Sequence, residues 1–279
     1  MNRYLKLVHW EIMRFWKLLA GLAALTAIVQ CAGMIREASR YSNQVQDHIR
    51  TSNSTLGAFV QANGKYSFLD AVSQAGMWIY GPIALCAGIL ALYVFMIWYK
   101  EWYGKNVFVY RLLMLPTARR NIYFAKLTAI LLFVFAFIGL QLALLPLENR
   151  LFVSAGGTEL FEPTGVFELV RGASLLALII PGTFTDFLLV YGIGAIVVLV
   201  CFTGVLLERS YRLKGAAAAV LYVAGAFLFL MLPYLILGRK IDTYLYPGEF
   251  YGIEFALLAI VAAVTVWLGL HLITKKVSV

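Results

Sequence analysis

Charge is what this chain has least of. Only 13% of its 279 residues are Asp, Glu, Lys or Arg, where a soluble domain carries about 25%. So few charged side chains cannot cover the water-facing surface of a domain this long. The shortage excludes a soluble enzyme, and with so apolar a composition it also excludes a disordered chain. Cysteine is scarce too. Cys31, Cys86 and Cys201 are far apart and each falls in an apolar run. The composition rules out a secreted disulfide scaffold, and as no CxxC or Cys/His cluster occurs neither a zinc site nor a redox pair is suggested; the three read as small buried hydrophobes. The three histidines, His9, His48 and His271, are too dispersed to form a metal or haem site.

Chemical motifs are missing as well. No G-x-x-x-x-G-K-[ST] occurs: Gly104-Lys105-Asn106 and Gly64-Lys65-Tyr66 lack both the spacing and the hydroxyl, so the chain has no P-loop for ATP. HExxH and GxSxG are also absent. Gly192-x-Gly194 has no strand context and reads as helix packing. We therefore expect no catalytic, cofactor-binding or metal-binding residues, and no enzyme activity of the chain's own.

What the chain has in abundance is apolar length. Hydrophobic residues make up 62% and the mean hydropathy is +0.83, which leaves an all-α polytopic membrane protein. A spanning helix needs ~20 mostly apolar residues. Six segments qualify: Leu18–Ile35, Met77–Tyr99, Leu127–Leu147, Phe187–Leu207, Gly215–Leu237 and Ile253–Ile273. A seventh run, Ser174–Gly182, is too short to cross and is expected to be an interfacial or re-entrant helix. No small-x-small cleavage site follows the first apolar run, so that span is expected to remain as an anchor.

Lys and Arg in the flanks set the orientation. Residues 1–17, 100–126, 208–214 and 274–279 hold 15 bases against the acids Glu11, Glu101 and Glu208, a balance of +12; the rest of the chain is −3. Both termini are thus expected in the cytoplasm. The basic excess signals orientation and contact with anionic membrane lipid; no nucleic-acid-binding pattern accompanies it. The expectation is one transmembrane domain over 1–279. It would have a cytoplasmic leader 1–17, an extracytoplasmic loop 36–76, a cytoplasmic loop 100–126 and a second extracytoplasmic loop 148–186.

In the leader, Leu5, Val8, Ile12, Phe15 and Leu19 recur at helical spacing, with Arg3, Lys6, Arg14 and Lys17 opposite. This predicts an N-terminal amphipathic interfacial helix. In the first outer loop Ile35, Ala38, Tyr41, Val45 and Ile49 keep the same period. The first helix should therefore project beyond the membrane, turn near Asn63-Gly64, and be followed by a returning segment near Ser67–Ser73. Within the spans the polar residues are neutral (Gln30, Gln141, Thr26, Thr128, Thr203, Thr265). An ion-coupled transporter needs ionisable groups near the midplane. Their lack argues for an energy source outside this chain and a path for apolar or amphipathic cargo.

The loop 100–126 is the most specific segment. Lys100-Glu101-Trp102-Tyr103-Gly104-Lys105 opens it, Arg111-Leu112-Leu113-Met114-Leu115-Pro116 follows, and Thr117-Ala118-Arg119-Arg120 leads to Lys126. Pro116 disfavours helix one residue earlier, and Thr117 can cap the next helix. The pattern predicts a helix along the inner surface, a sharp corner, and a helix climbing into the membrane. It resembles the cytoplasmic loop of ABC-2 type ABC transporter permeases. That family has an acid soon after span two, a glycine, a Leu-Leu run, a hydrophobic-Pro step, an Arg, and a Lys entering span three. Here those are Glu101, Gly104, Leu112-Leu113, Leu115-Pro116, Arg119 and Lys126. The leader resembles the family's N-terminal connecting helix. The outer loop between spans one and two is longer than is usual in the family, and Gly238–Gly252 is shorter.

The resemblance implies the transmembrane permease subunit of an ABC-2 type exporter in a cell membrane, as in a bacterial plasma membrane. Its partners would be separate ABC ATPase subunits, which hold the ATP, and a second permease subunit, identical or paralogous. The cargo would be a hydrophobic or amphipathic peptide, antibiotic or lipid. It also implies that Glu101, Gly104, Leu112, Leu113, Pro116, Arg119 and Arg120 receive the ATPase stroke. The alternative from the composition alone is a six-span structural or sensory subunit without a transport path.

Overall fold

The computed structural model describes residues 3–102, 118–237 and 246–276. In chain order the elements are α1 (Arg3–Ser52), α2 (Leu56–Asn63), β1 (Tyr66–Ser67), α3 (Phe68–Gln74), α4 (Gly76–Trp102) and α5 (Arg119–Gly156). They continue with β2 (Phe161–Glu162), α6 (Val166–Gly172), α7 (Ser174–Ile179), α8 (Phe184–Leu230), α9 (Leu232–Leu237) and α10 (Pro247–His271). A π turn, Leu272–Lys276, prolongs α10. Five helical segments are long and apolar enough to cross a membrane: α1, Gly76–Lys100, α5, Phe184–Tyr211 and Gly248–Lys275. The protein is an all-α, membrane-embedded chain.

Local chemistry explains where helices start and stop. Asn53 takes up left-handed backbone (φ 51°) to end α1, a conformation Asn tolerates. Thr55 then caps α2 by accepting from the Ala58 amide, and Gly64 (φ 78°) ends it. Ser67 caps α3 through the Asp70 amide while its hydroxyl donates to the Asp70 carboxylate. Pro247 opens α10, where the Glu249 carboxylate accepts from the Tyr246 amide at 3.0 Å.

The backbone of α8 is helical for 47 residues, yet the element is not one straight rod. In a straight helix Gly204 and Val223 would lie roughly 28 Å apart. A Cβ placed on Gly204 would instead sit 3.5 Å from Val223 and 3.9 Å from Ala219. One on Gly215 would meet the Leu207 carbonyl at 2.2 Å. The chain doubles back between Leu207 and Gly215, and the two arms pack side by side. The returning arm, Lys214–Leu230, is apolar but short. It bonds onward into α9, with the Met231 amide donating to the Phe227 carbonyl and the Leu235 amide to the Met231 carbonyl, each at 3.0 Å.

Two compact units emerge from the packing. The first comprises Met1–Arg14, Leu90–Leu132 and Thr185–Val279; the second comprises Phe15–Ile89 and Phe133–Phe184. In the first, Leu189, Ile196 and Val200 of α8 pack with Leu258 and Val261 of α10. In the second, Met34, Ala38 and Val45 of α1 pack with Phe68, Ala71 and Val72 of α3, Phe152 of α5 and Phe161 of β2. There β1 pairs with β2 in parallel, Tyr66 opposite Phe161, and Tyr41 stacks on Tyr66 at 3.9 Å.

Three expectations change in detail. The leader is not set off from the first span, because α1 runs without interruption from Arg3 to Ser52. Of its expected apolar face Val8 is buried and Ile12, Phe15 and Leu19 are half-buried, while Leu5 is 52% exposed, and Glu11 is buried beside Lys126. Helix does not stop at the expected start of the second outer loop, since α5 runs on to Gly156. Ser174–Gly182 contributes only the short α7, whose Leu176 is fully buried in the second unit's core.

Candidate functional site

In the first unit, Lys126 lies two turns into α5. Its side chain is 0% exposed, and its Nζ donates to Glu11 Oε1 at 2.7 Å. The same ammonium donates to the Ile97 carbonyl at 3.2 Å and stands 5.2 Å from the centre of the Trp98 ring. A charge removed from water needs a partner and further hydrogen bonds. Here a carboxylate, a carbonyl and an aromatic face serve one ammonium. Tyr4, two turns before Glu11 on α1, makes a second tie to α5 through the Thr128 hydroxyl and the Phe124 carbonyl.

Behind the ion pair the rings of Trp98, Tyr123 and Phe202 pack edge to face or tilted, with centroids 5.5–6.4 Å apart. Thr203 donates to the Thr265 carbonyl at 3.3 Å, and Thr265 and Tyr222 share a hydroxyl contact of 2.7 Å. Gly269 makes this approach possible, since a Cβ there would lie 2.9 Å from the Tyr123 hydroxyl. At the start of α5, Arg119 donates to the Ile273 and Thr274 carbonyls at 3.1 and 3.2 Å. Those carbonyls end a helix and carry its partial negative charge. Tyr99 donates to Glu208, with the Arg209 guanidinium 5.0 Å over its ring. The start of α1, the end of α4, the start of α5 and the end of α10 are thus fastened together. The residues between the second and third of these, 103–117, lie outside the described residues.

Of the residues expected to couple to an ATPase, Gly104, Leu112, Leu113 and Pro116 lie outside the described residues. Glu101 is in the last turn of α4, and its side chain is not described. Arg119 and Arg120 open α5. Arg119 is committed to the carbonyls of the π turn, while Arg120 is exposed. The sequence reading placed Lys126 at the mouth of span three but did not foresee its partner. The signal was there: Glu11 is the lone acid among Arg3, Lys6, Arg14 and Lys17, on the face of Val8.

The second unit has its own buried polar groups. Gln30 donates to the Gln141 side chain at 3.1 Å and to the Ile79 carbonyl at 3.0 Å. Glu148 is fully buried between Leu145 and Phe152 on α5, with no hydrogen-bond partner for either oxygen among the described residues. Among those residues no three His, Cys, Asp or Glu converge as a metal site would require. Comparison of the chain with protein-family models, with curated proteins and with solved structures finds no match.

Proposed function

We propose that this chain is the permease subunit of an ABC-2 type exporter. It would have six spans, both ends in the cytoplasm of a bacterial-type plasma membrane, and α9 with the returning arm of α8 as its fifth span. The observation that carries the reading is the buried Glu11–Lys126 pair at the root of the segment 103–117. A loop that transmits force needs a base that does not give. A buried, multiply bonded ion pair resists displacement because breaking it strands a charge. The Glu101 to Lys126 pattern supports the same assignment. Separate ATPase subunits would bind ATP and press on this loop, and a hydrophobic or amphipathic cargo would cross between this chain and a second permease subunit.

Charge reversal in the assembled complex tests the reading. Arg120 and Lys275 are both exposed and basic. Under the coupling reading, Arg120→Glu lowers cargo-stimulated ATP hydrolysis at least tenfold while Lys275→Glu leaves it within twofold. Equal, mild effects at both positions would leave these charges only an orienting role and favour a structural or sensory subunit. Arg119→Glu is a poorer probe, because it also breaks the tie to the π turn.

A further inference from the structure

A small pocket in the second unit holds two arginines that the proposed transport role does not use. Its cavity of about 150 Å³ is lined by Arg36, Glu37 and Arg40 of α1, Gln74 at the end of α3, and Trp78 of α4. Arg36 and Arg40 are one helical turn apart, so they flank the same opening. The Arg36 guanidinium lies over the Trp78 ring, 5.1 Å from its centre. Close helix packing seats that ring there: a Cβ on Gly33 would fall 2.4 Å from the Trp78 Cβ. Arg40 is aimed by Glu37, whose side chain is 8% exposed and accepts from Arg40 Nη2 at 2.6 Å. The Tyr66 hydroxyl donates to the same Glu37 oxygen at 3.2 Å. Burial and the neighbouring Glu37 charge push the Tyr66 hydroxyl well above its usual range, so it remains a donor. No carboxylate stands within ion-pair distance of Arg36 among the described residues, and the pocket keeps a net positive charge.

These arginines run against the charge pattern of the chain, since they sit in the flanks that total −3. Orientation therefore does not explain them. They follow directly on the first apolar stretch, and Trp78 opens the second. That is the level of lipid headgroups, where tryptophan concentrates. Beside the pocket Ile35 is 43% exposed and Met77 83%, an apolar skirt fit for acyl chains. The Arg36 guanidinium, the remaining donors of Arg40 and the Gln74 amide on the same lining suit the oxygens of a phosphate.

We propose that the Arg36–Arg40 pocket binds an anionic phosphate group, carried by a lipid headgroup or free as inorganic phosphate. The site stands whether or not the chain is a transporter subunit. The test is titration of the purified full-length chain with short-chain phosphatidylglycerol, and separately with inorganic phosphate, against chloride at equal ionic strength. Thermal stabilisation is the readout. The wild-type chain is stabilised by the lipid or by phosphate, and the more effective ligand identifies the source. Arg36→Gln weakens the response at least tenfold. Arg40→Lys keeps the charge beside Glu37 but removes one fork, and weakens it severalfold. Arg50→Gln, on the same helix and also exposed, leaves it unchanged. Stabilisation by neither ligand, or an equal response in the wild type, Arg36→Gln and Arg40→Lys, overturns the proposal.

Discussion

Lys126 and Glu11 show how much a single buried charge can decide. With both side chains out of water, removing one leaves the other stranded. Lys126→Met should therefore cost about 3–5 kcal/mol, seen as a lower midpoint of thermal unfolding in detergent. The double variant Glu11→Leu/Lys126→Met should recover most of that loss, because it leaves no stranded charge. A double variant as unstable as the single would show that packing, not the charge, holds α1 to α5. Glu148 presents the opposite case. Its carboxyl is fully buried without a hydrogen bond, so it costs stability where it stands. Glu148→Gln keeps the shape and removes the ionisable group, and should leave the unfolding midpoint unchanged or raise it by a few degrees. A clear drop would mean that the carboxyl has a partner. Glu148 was not legible as special in the sequence, and Glu11 only as the lone acid of a basic leader. Both were counted as ordinary loop or leader acids, since burial depends on which helix packs over a position and spacing within one helix does not report that.

Elements were far more legible than residues. Five of the six apolar segments fall on helices long enough to cross a membrane, because length and composition alone suffice for that inference. The ends were read less well. In α1 helix continues past the apolar stretch because an apolar face persists: Ala38 and Val45 are buried against α3, and that face was visible in the sequence as the period from Ile35 to Ile49. The reversal within α8 was legible too, as the charged run 208–214 between the apolar segments Phe187–Leu207 and Gly215–Leu237, although helical backbone continues through it. Close packing of elements makes specific demands on glycine. A Cβ at Gly33 would overlap the base of Trp78, not the far end of a flexible chain, so neither helix can yield locally. Gly33→Val should destabilise by about 1–3 kcal/mol through overpacking. Gly21→Ala on the same helix, with open space around it, should be neutral within experimental error. Equal effects at the two positions in a denaturation series would refute the close approach of α1 and α4.

At the scale of the whole molecule the charge asymmetry makes a topological prediction. In a background lacking Cys31, Cys86 and Cys201, a cysteine at Asn53 should react with an impermeant thiol reagent from outside intact cells. One at Lys105 should react only after permeabilisation, and reversed labelling would overturn the orientation. The function proposed above makes this chain one part of a machine whose energy comes from another. It lacks a P-loop and is embedded by its apolar helices, and under that proposal a partner would push on the chain between α4 and α5, beside the Glu11–Lys126 pair. The most direct test is to isolate the tagged chain from its own membranes in mild detergent and measure ATP hydrolysis before and after stripping co-purifying chains. The account predicts hydrolysis in the intact complex, carried by a separate P-loop subunit in stoichiometric amount, and none from the stripped chain. Isolation without any such subunit, or hydrolysis that survives its complete removal, would contradict it.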